Sequence, residues 1–140
     1  MIAIACDHAG VGIKNGLKKE LEALGYELRD FGTYDENSCD YPVFARKACE
    51  AVVSGECEKA ILICGTGIGM SMAANKIKGI RAAVCSECFS AKYTRLHNDA
   101  NALCLGARVI GEGLALELAK VFLTTPFEGG KHKRRIDMFE

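Results

Sequence analysis

The sequence has no surplus of either charge: among 140 residues, Lys plus Arg and Asp plus Glu each count 18, so the formal net charge is zero. A neutral chain exerts no bulk pull on nucleic acid or on an anionic membrane, which excludes both as partners and requires any anion site to be built locally. Long apolar runs are missing too. Stretches such as Ala60–Cys64 are far shorter than the roughly 20 residues needed to cross a bilayer, so a soluble protein is expected. Repeats, low-complexity tracts and linker-like composition shifts are absent, and 49% apolar with 26% charged residues is the make-up of a globular chain, not a disordered one. The length supports one domain, residues 1–140, and is too short for two ordinary ones. The first residues lack the basic region, apolar core and small-residue cleavage site of a secretory signal. Eight cysteines in such a chain read as free thiols in a reducing cytoplasm, not as a disulfide framework.

Short apolar runs without alternation occur at Ile2–Cys6, Ala60–Cys64, Ala82–Cys85 and Ala102–Leu105, the pattern of strands buried on both faces of a parallel sheet. Tyr26–Phe31 is a fifth strand, at an edge. Helical spacing lies between them. Ile13, Leu17, Leu21 and Leu24 share a face that Gly25 terminates, and Pro42 opens a helix whose inner face carries Val43, Phe44, Ala48, Ala51 and Val52 before Ser54-Gly55. Further helices are expected at Gly67–Asn75, Ser90–His97 and Glu112–Leu123. This alternation predicts an α/β fold, a single-domain three-layer α/β/α sandwich with a five-stranded parallel, Rossmann-like sheet. Ligands of such sheets bind beyond the carboxyl ends of the strands.

The first strand is followed by Asp7-His8-Ala9-Gly10, the third by Gly65-Thr66-Gly67-Ile68-Gly69, and the helix after the fourth by His97-Asn98-Asp99-Ala100-Asn101. Taken singly, each has a plain structural reading: Asp7 as a helix cap, the glycines as a tight turn, the histidine segment as a polar helix end. The glycine loop at a strand-to-helix junction would also turn backbone N–H groups toward an oxyanion or phosphate. It is not a dinucleotide fingerprint, because Met70 stands where the third glycine belongs, and it lacks the Gly-Lys-Ser/Thr of a Walker loop. Cys64 directly precedes the loop, a place that favours a reactive thiolate, whereas Cys6, Cys49 and Cys104 read as packing residues. Cys85-Ser86-Glu87-Cys88 is a lone cysteine pair without a second pair at zinc spacing, a weak signal for metal or dithiol exchange. The tail Gly129–Arg135 is a charge run that reads either as a solvated face or as a phosphate clamp.

Together these residues resemble a known family. Cys6-Asp7-His8-Ala9-Gly10, Asp40-Tyr41-Pro42, Ile63–Ser71 leading to Ala73-Ala74-Asn75-Lys76, Gly79-Ile80-Arg81-Ala82, His97–Asn101 and Gly129-Gly130-Lys131-His132 resemble type B ribose-5-phosphate isomerase along the full length. The resemblance implies an aldose–ketose isomerase needing no cofactor or metal, which interconverts ribose 5-phosphate and ribulose 5-phosphate through a cis-enediolate. By this carry-over Cys64 is the base, and Thr66 with the amides of Gly65, Gly67, Ile68 and Gly69 stabilises the enediolate. His97 opens the ring, Asp7 helps at the ring oxygen or hydroxyls, and Tyr41 and Asn98 orient the sugar. His8 and Arg135 meet the phosphate, with Lys131 and Arg108 nearby. Many members carry Arg where this chain has Lys131, so a point charge replaces a bidentate fork there, with Arg134 or Arg135 to take up the grip. The family pattern further implies a homodimer or dimer of dimers with sites at the subunit interface. Allose-6-phosphate or galactose-6-phosphate isomerisation is the nearest alternative; a non-catalytic phosphosugar-binding module and a thiol-redox protein built on Cys85 and Cys88 are more distant ones.

Overall fold

The computed structural model describes residues 1–140. Its elements are β1 (Ile2–Cys6), α1 (Val11–Ala23), β2 (Leu28–Asp30), α2 (Tyr41–Val53), β3 (Lys59–Cys64), α3 (Ile68–Ala74), β4 (Ala82–Val84), α4 (Cys88–Asn98), β5 (Ala102–Gly106), α5 (Glu112–Thr124) and α6 (Lys131–Asp137). The five strands are all parallel in the order β2-β1-β3-β5-β4, so Tyr26–Phe31 contributes an edge strand, shortened to its middle. The order reverses between β1 and β3, placing a crevice at the carboxyl ends of those two strands.

Two packed faces explain why the strand sequences lack polar alternation. Ile2, Ile4, Cys6, Ile61, Ile63, Leu103 and Leu105 turn to one side and pack with Leu17, Leu21, Leu118 and Phe122 of α1 and α5. Ala3, Ala5, Ala60, Leu62, Cys64, Ala102 and Cys104 turn to the other and meet Ala45, Ala48, Cys49, Met70 and Ala74 of α2 and α3. The second face is mostly small residues, which lets α2 and α3 approach the sheet closely and bring their ends near the ends of β1 and β3. The thiols at Cys6, Cys49 and Cys104 are core residues on these faces; burial pushes them up, to about 11 for Cys6, to about 12 for Cys49 and well above the ordinary thiol range for Cys104.

Four expectations change. β4 is an edge strand with Val84 exposed, not a strand buried on both faces, because only β5 pairs with it. Asp7 does not cap α1: the cap is Gly10, and the Asp7 carboxylate accepts the Ala9 N–H at 2.9 Å within its own turn. Leu24 is exposed instead of lying on the inner face of α1, because the helix ends at Ala23 and the left-handed Gly25 turns the chain away, and Val43 in the first turn of α2 is exposed too, since the buried face of α2 is Ala45, Ala48, Cys49 and Ala51. The tail, read only as a charge run with no helix expected, contains the helix α6, held down by buried Ile136. A buried cation also enters the fold. Lys14 is fully buried and donates to Asp30 Oδ1 at 2.8 Å and to the Thr33 carbonyl, while Lys18 holds the other Asp30 oxygen at 3.1 Å. Burial alone would raise the Asp30 carboxyl, but these donors hold it below its ordinary range. The pair ties α1 to the loop that leads from β2 toward Tyr41.

Candidate functional site

At the carboxyl edge, β3 ends on Cys64, which is only 4% exposed, and the chain turns through Gly65-Thr66-Gly67 into α3. Gly67 has φ +80°, and a Cβ there would lie 2.9 Å from the backbone carbon of Leu105, so no other residue fits the turn. The turn folds the Gly67 N–H back onto Cys64 Sγ at 3.1 Å, so the sulfur is held by a donor of the loop that follows it. Thr66 is exposed, and its Oγ1 accepts the Ile68 N–H at 3.2 Å. The N–H groups of Gly65, Thr66 and Gly69 donate to no backbone carbonyl, which leaves a bank of donors beside the sulfur.

Four more of the expected residues gather there. Asp7 follows β1 and donates its N–H to the Ile63 carbonyl at 3.0 Å, next to the end of β3. The Nδ1 of His8 accepts the Cys39 N–H at 3.3 Å, which fixes the ring on this edge. Tyr41 opens α2 with its ring against the backbone of Gly69, where a Cβ would lie 2.6 Å from the ring. Arg108, just beyond β5, donates its N–H to the Gly65 carbonyl at 2.9 Å and brings its guanidinium alongside Gly65. A carbon acid held over Cys64 would thus meet one base, several N–H donors and two groups able to bind an anion.

The remaining expected residues lie elsewhere. α4 runs back antiparallel to the strands, and the Asn101 N–H beyond it donates to the Arg81 carbonyl, ahead of β4. His97 and Asn98 therefore sit at the amino edge of the sheet. Eleven residues of helix rise about 16 Å, so these two groups cannot reach Cys64 of the same chain. α6 packs on α4 there. His132 stacks on His97 with ring centroids 4.1 Å apart and 12° between planes, and Glu128 Oε2 lies 3.3 Å from His132 Nε2 and 3.9 Å from His97 Nε2. Lys131 and Arg135 are exposed on α6 and make no ion pair, whereas Lys133 is paired with Asp137. Sequence reasoning did not single out Glu128 and gave His132 no role of its own; their four-residue spacing was visible, but His97 as their common partner depends on how α6 docks on α4.

His97, Glu128 and His132 are also the one group whose ligand atoms lie close enough, within 4.8 Å, to suggest a metal. Near-parallel rings send their lone pairs along parallel planes, which do not meet at one ion, so the arrangement fits stacking better than ligation. Nor does the structure favour a dithiol at Cys85 and Cys88. Cys85 is buried with its thiol pushed up to about 11, while Cys88 is exposed at the start of α4.

The model of the ribose/galactose isomerase family matches residues 2–139. Ribose-5-phosphate isomerase B of Escherichia coli (strain K12) is 46% identical over 136 residues, covering 97% of this chain and 91% of that protein. The structure of ribose-5-phosphate isomerase B from Clostridium thermocellum superposes with a TM-score of 0.97 at 50% identity, covering 98% of this chain and 93% of that one. That of the Mycoplasma genitalium enzyme with bound ribulose-5-phosphate superposes with a TM-score of 0.94 at 39% identity, covering 98% and 91%.

Proposed function

The chain belongs to the ribose/galactose isomerase family, and on that premise we propose that it interconverts ribose 5-phosphate and ribulose 5-phosphate. The observation that carries the chemistry is Cys64, with the Gly67 amide 3.1 Å from its sulfur and unpaired N–H groups beside it. Once the ring is open, the Cys64 thiolate takes the proton from C2 and negative charge develops on O1, which the loop amides and Thr66 stabilise. The thiol returns its proton to C1 while the proton of the C2 hydroxyl passes to O1. Hydrogen moves as a proton throughout, so a base and oxyanion donors suffice, both supplied by the chain itself. His8 and Arg108 bind on this edge, and Asp7 and Tyr41 orient the hydroxyls.

Ring opening by His97, orientation of the sugar by Asn98 and the phosphate grip of Lys131 and Arg135 are needed as well, and these residues lie at the opposite edge. A second copy resolves the separation. We read the protein as a homodimer, or a dimer of dimers, in which the amino edge of one protomer meets the carboxyl edge of its partner. The unpaired edge strand β4 and the exposed apolar Ile68, Met72, Val84 and Phe89 beside it supply a surface for that contact. Residues 1–140 act as one isomerase domain, in a reducing cytoplasm that suits eight free thiols. The test is an isomerase assay with ribose 5-phosphate, allose 6-phosphate and galactose 6-phosphate in parallel. Ribose 5-phosphate should give the highest kcat/KM, and a hexose phosphate in first place overturns the substrate assignment.

A further inference from the structure

Asp99 follows the two amino-edge residues and is the only non-glycine residue with positive φ, 45°. Its left-handed turn ends α4 directly after Asn98. Each oxygen of its carboxylate holds a different guanidinium: Oδ1 accepts from Arg95 at 2.8 Å, and Oδ2 from Arg81 at 3.3 Å. Arg95 is buried, and its other donors go to the Ala100 carbonyl at 2.6 Å and the Thr125 carbonyl at 3.1 Å. Arg81 grips the main chain of the site itself, with Nε donating to the carbonyls of Asn98 at 3.2 Å and Asp99 at 2.9 Å, and is tied beyond that to Glu140. Arg81 in turn is fixed by Asn101, whose side chain accepts the Arg81 N–H at 2.8 Å and donates to the Gly79 carbonyl at 2.8 Å.

This is more than a helix end needs. A cap requires one acceptor or donor, which Gly, the usual residue at an αL helix end, or Asn supplies without a charge. Here a carboxylate joins two arginines from opposite flanks, fixing the last turn of α4 against the amino end of β4, where the partner must approach. We propose that Asp99, with Arg81 and Arg95, is a positioning group that aims His97 and Asn98 at the partner's reaction centre. The proposal rests on the two-copy site described above. It assigns Asp99 no contact with substrate. It requires that loss of one arginine bond slow ring opening while leaving proton transfer at Cys64 intact, since a displacement of the ring-opening group by a fraction of an ångström is felt only in the step it serves.

Asp99→Asn is the appropriate variant, because Asn tolerates αL and keeps one acceptor but sets an NH2 group against the second guanidinium. Its kcat on cyclic ribose 5-phosphate should fall by about tenfold or more, while exchange of the C1 proton of ribulose 5-phosphate in heavy water, which needs no ring step, stays within about twofold. Combined with His97→Ala, it should add no further loss. Arg81→Lys should behave as a milder copy, and serves if Asp99→Asn folds poorly. The chain has three histidines, so imidazole NMR gives a reading independent of activity: the His97 resonances should move in Asp99→Asn and those of His8 should not. Parallel loss of isomerisation and exchange, additive loss in the His97→Ala background, or an unmoved His97 signal would overturn the proposal. Should the wild-type protein fail to isomerise ribose 5-phosphate, the assigned function fails, and the His97 signal still decides the positioning role.

Discussion

The two edges of the sheet are built from different materials. At the carboxyl edge the proposed working groups are main-chain N–H donors and residues one or two positions beyond a strand, placed by the sheet register and by contacts such as Gly67 against Leu105 and Gly69 against Tyr41. At the amino edge they are long side chains on the ends of α4 and α6, held by a ring stack, a shared carboxylate and two arginines. The first edge is therefore pre-organised by the fold and is disturbed by adding atoms. The second is organised by polar contacts at a surface and is disturbed by removing charge. An isomerase gains from this division: proton transfer needs a rigid base and oxyanion donors, whereas ring opening and phosphate capture need reach.

The largest effect should come from the rigid side. Cys64→Ser should leave the fold and sugar-phosphate binding nearly intact and lower kcat by about 10²–10⁴-fold, since a hydroxyl is a far weaker base than a thiolate. Residual activity within a few-fold of wild type would falsify the assignment of Cys64 as base. Alkylation supplies the control. At pH 8, burial keeps the Cys6, Cys49 and Cys85 thiols, at about 11, 12 and 11, protonated and unreactive. Iodoacetamide should label exposed Cys88 without loss of rate, and inactivation should track Cys64 and be slowed by substrate, as mass spectrometry of the labelled peptides can determine.

Next in size is the test that joins the edges. His97→Ala and Cys64→Ser are each expected to be nearly inactive. Unfolded and refolded together in equal amounts, they form mixed dimers that carry one doubly altered site and one native one. Activity should return to roughly a quarter of wild type if each site draws on two copies. A mixture no more active than its parents places both residues of each site in one chain, against the geometry of α4.

How much of this was legible in the sequence follows the same division. The strands, their parallel pairing though not their order, and the carboxyl-edge loops could be read because buried apolar runs and glycine turns are local signals: Cys64, Gly65 and Gly67 are fixed within a few residues of each other. The separation of His97 from Cys64 was not legible, since nothing local states that α4 carries its end to the opposite edge. The stack of His97 on His132 and the two-arginine grip on Asp99 join residues far apart in the chain, which single-sequence periodicity does not register. The tail shows the limit most clearly. Seven residues from Gly129 to Arg135 carry five basic side chains, and the same composition suits a solvated run or a helix pinned by one buried residue, Ile136.

A smaller effect is expected at α6. Arg135 is exposed and without an ion pair, and in the proposed two-copy site it would meet the substrate dianion held by the partner. Arg135→Ala should raise KM for ribose 5-phosphate by roughly tenfold or more with little change in kcat, because the phosphate is remote from the reacting carbons and its binding is common to ground and transition states. Turnover of unphosphorylated ribose, however slow, should be unaffected. An unchanged KM returns the tail to a solvated surface.

The smallest effect concerns Lys131, one turn earlier on the same helix and likewise unpaired. An ammonium attracts the phosphate as a point charge from any direction, whereas a guanidinium presents two parallel donors in a fixed fork. Lys131→Arg keeps the charge, so the long-range attraction is the same in both forms, and only the last step of docking can differ. If Arg135 already takes two phosphate oxygens, the fork at position 131 finds a single oxygen left and gains little. If Arg135 takes one, the fork completes the grip. KM should therefore be equal or lower by no more than about threefold, with kcat unchanged. Steady-state kinetics at two ionic strengths make the distinction: a gain that persists at high salt reports the fork, because bonded contacts are screened less than long-range attraction. A KM higher than wild type would mean that the flexible lysine stem, and not its charge alone, is needed to reach the phosphate from the partner's edge.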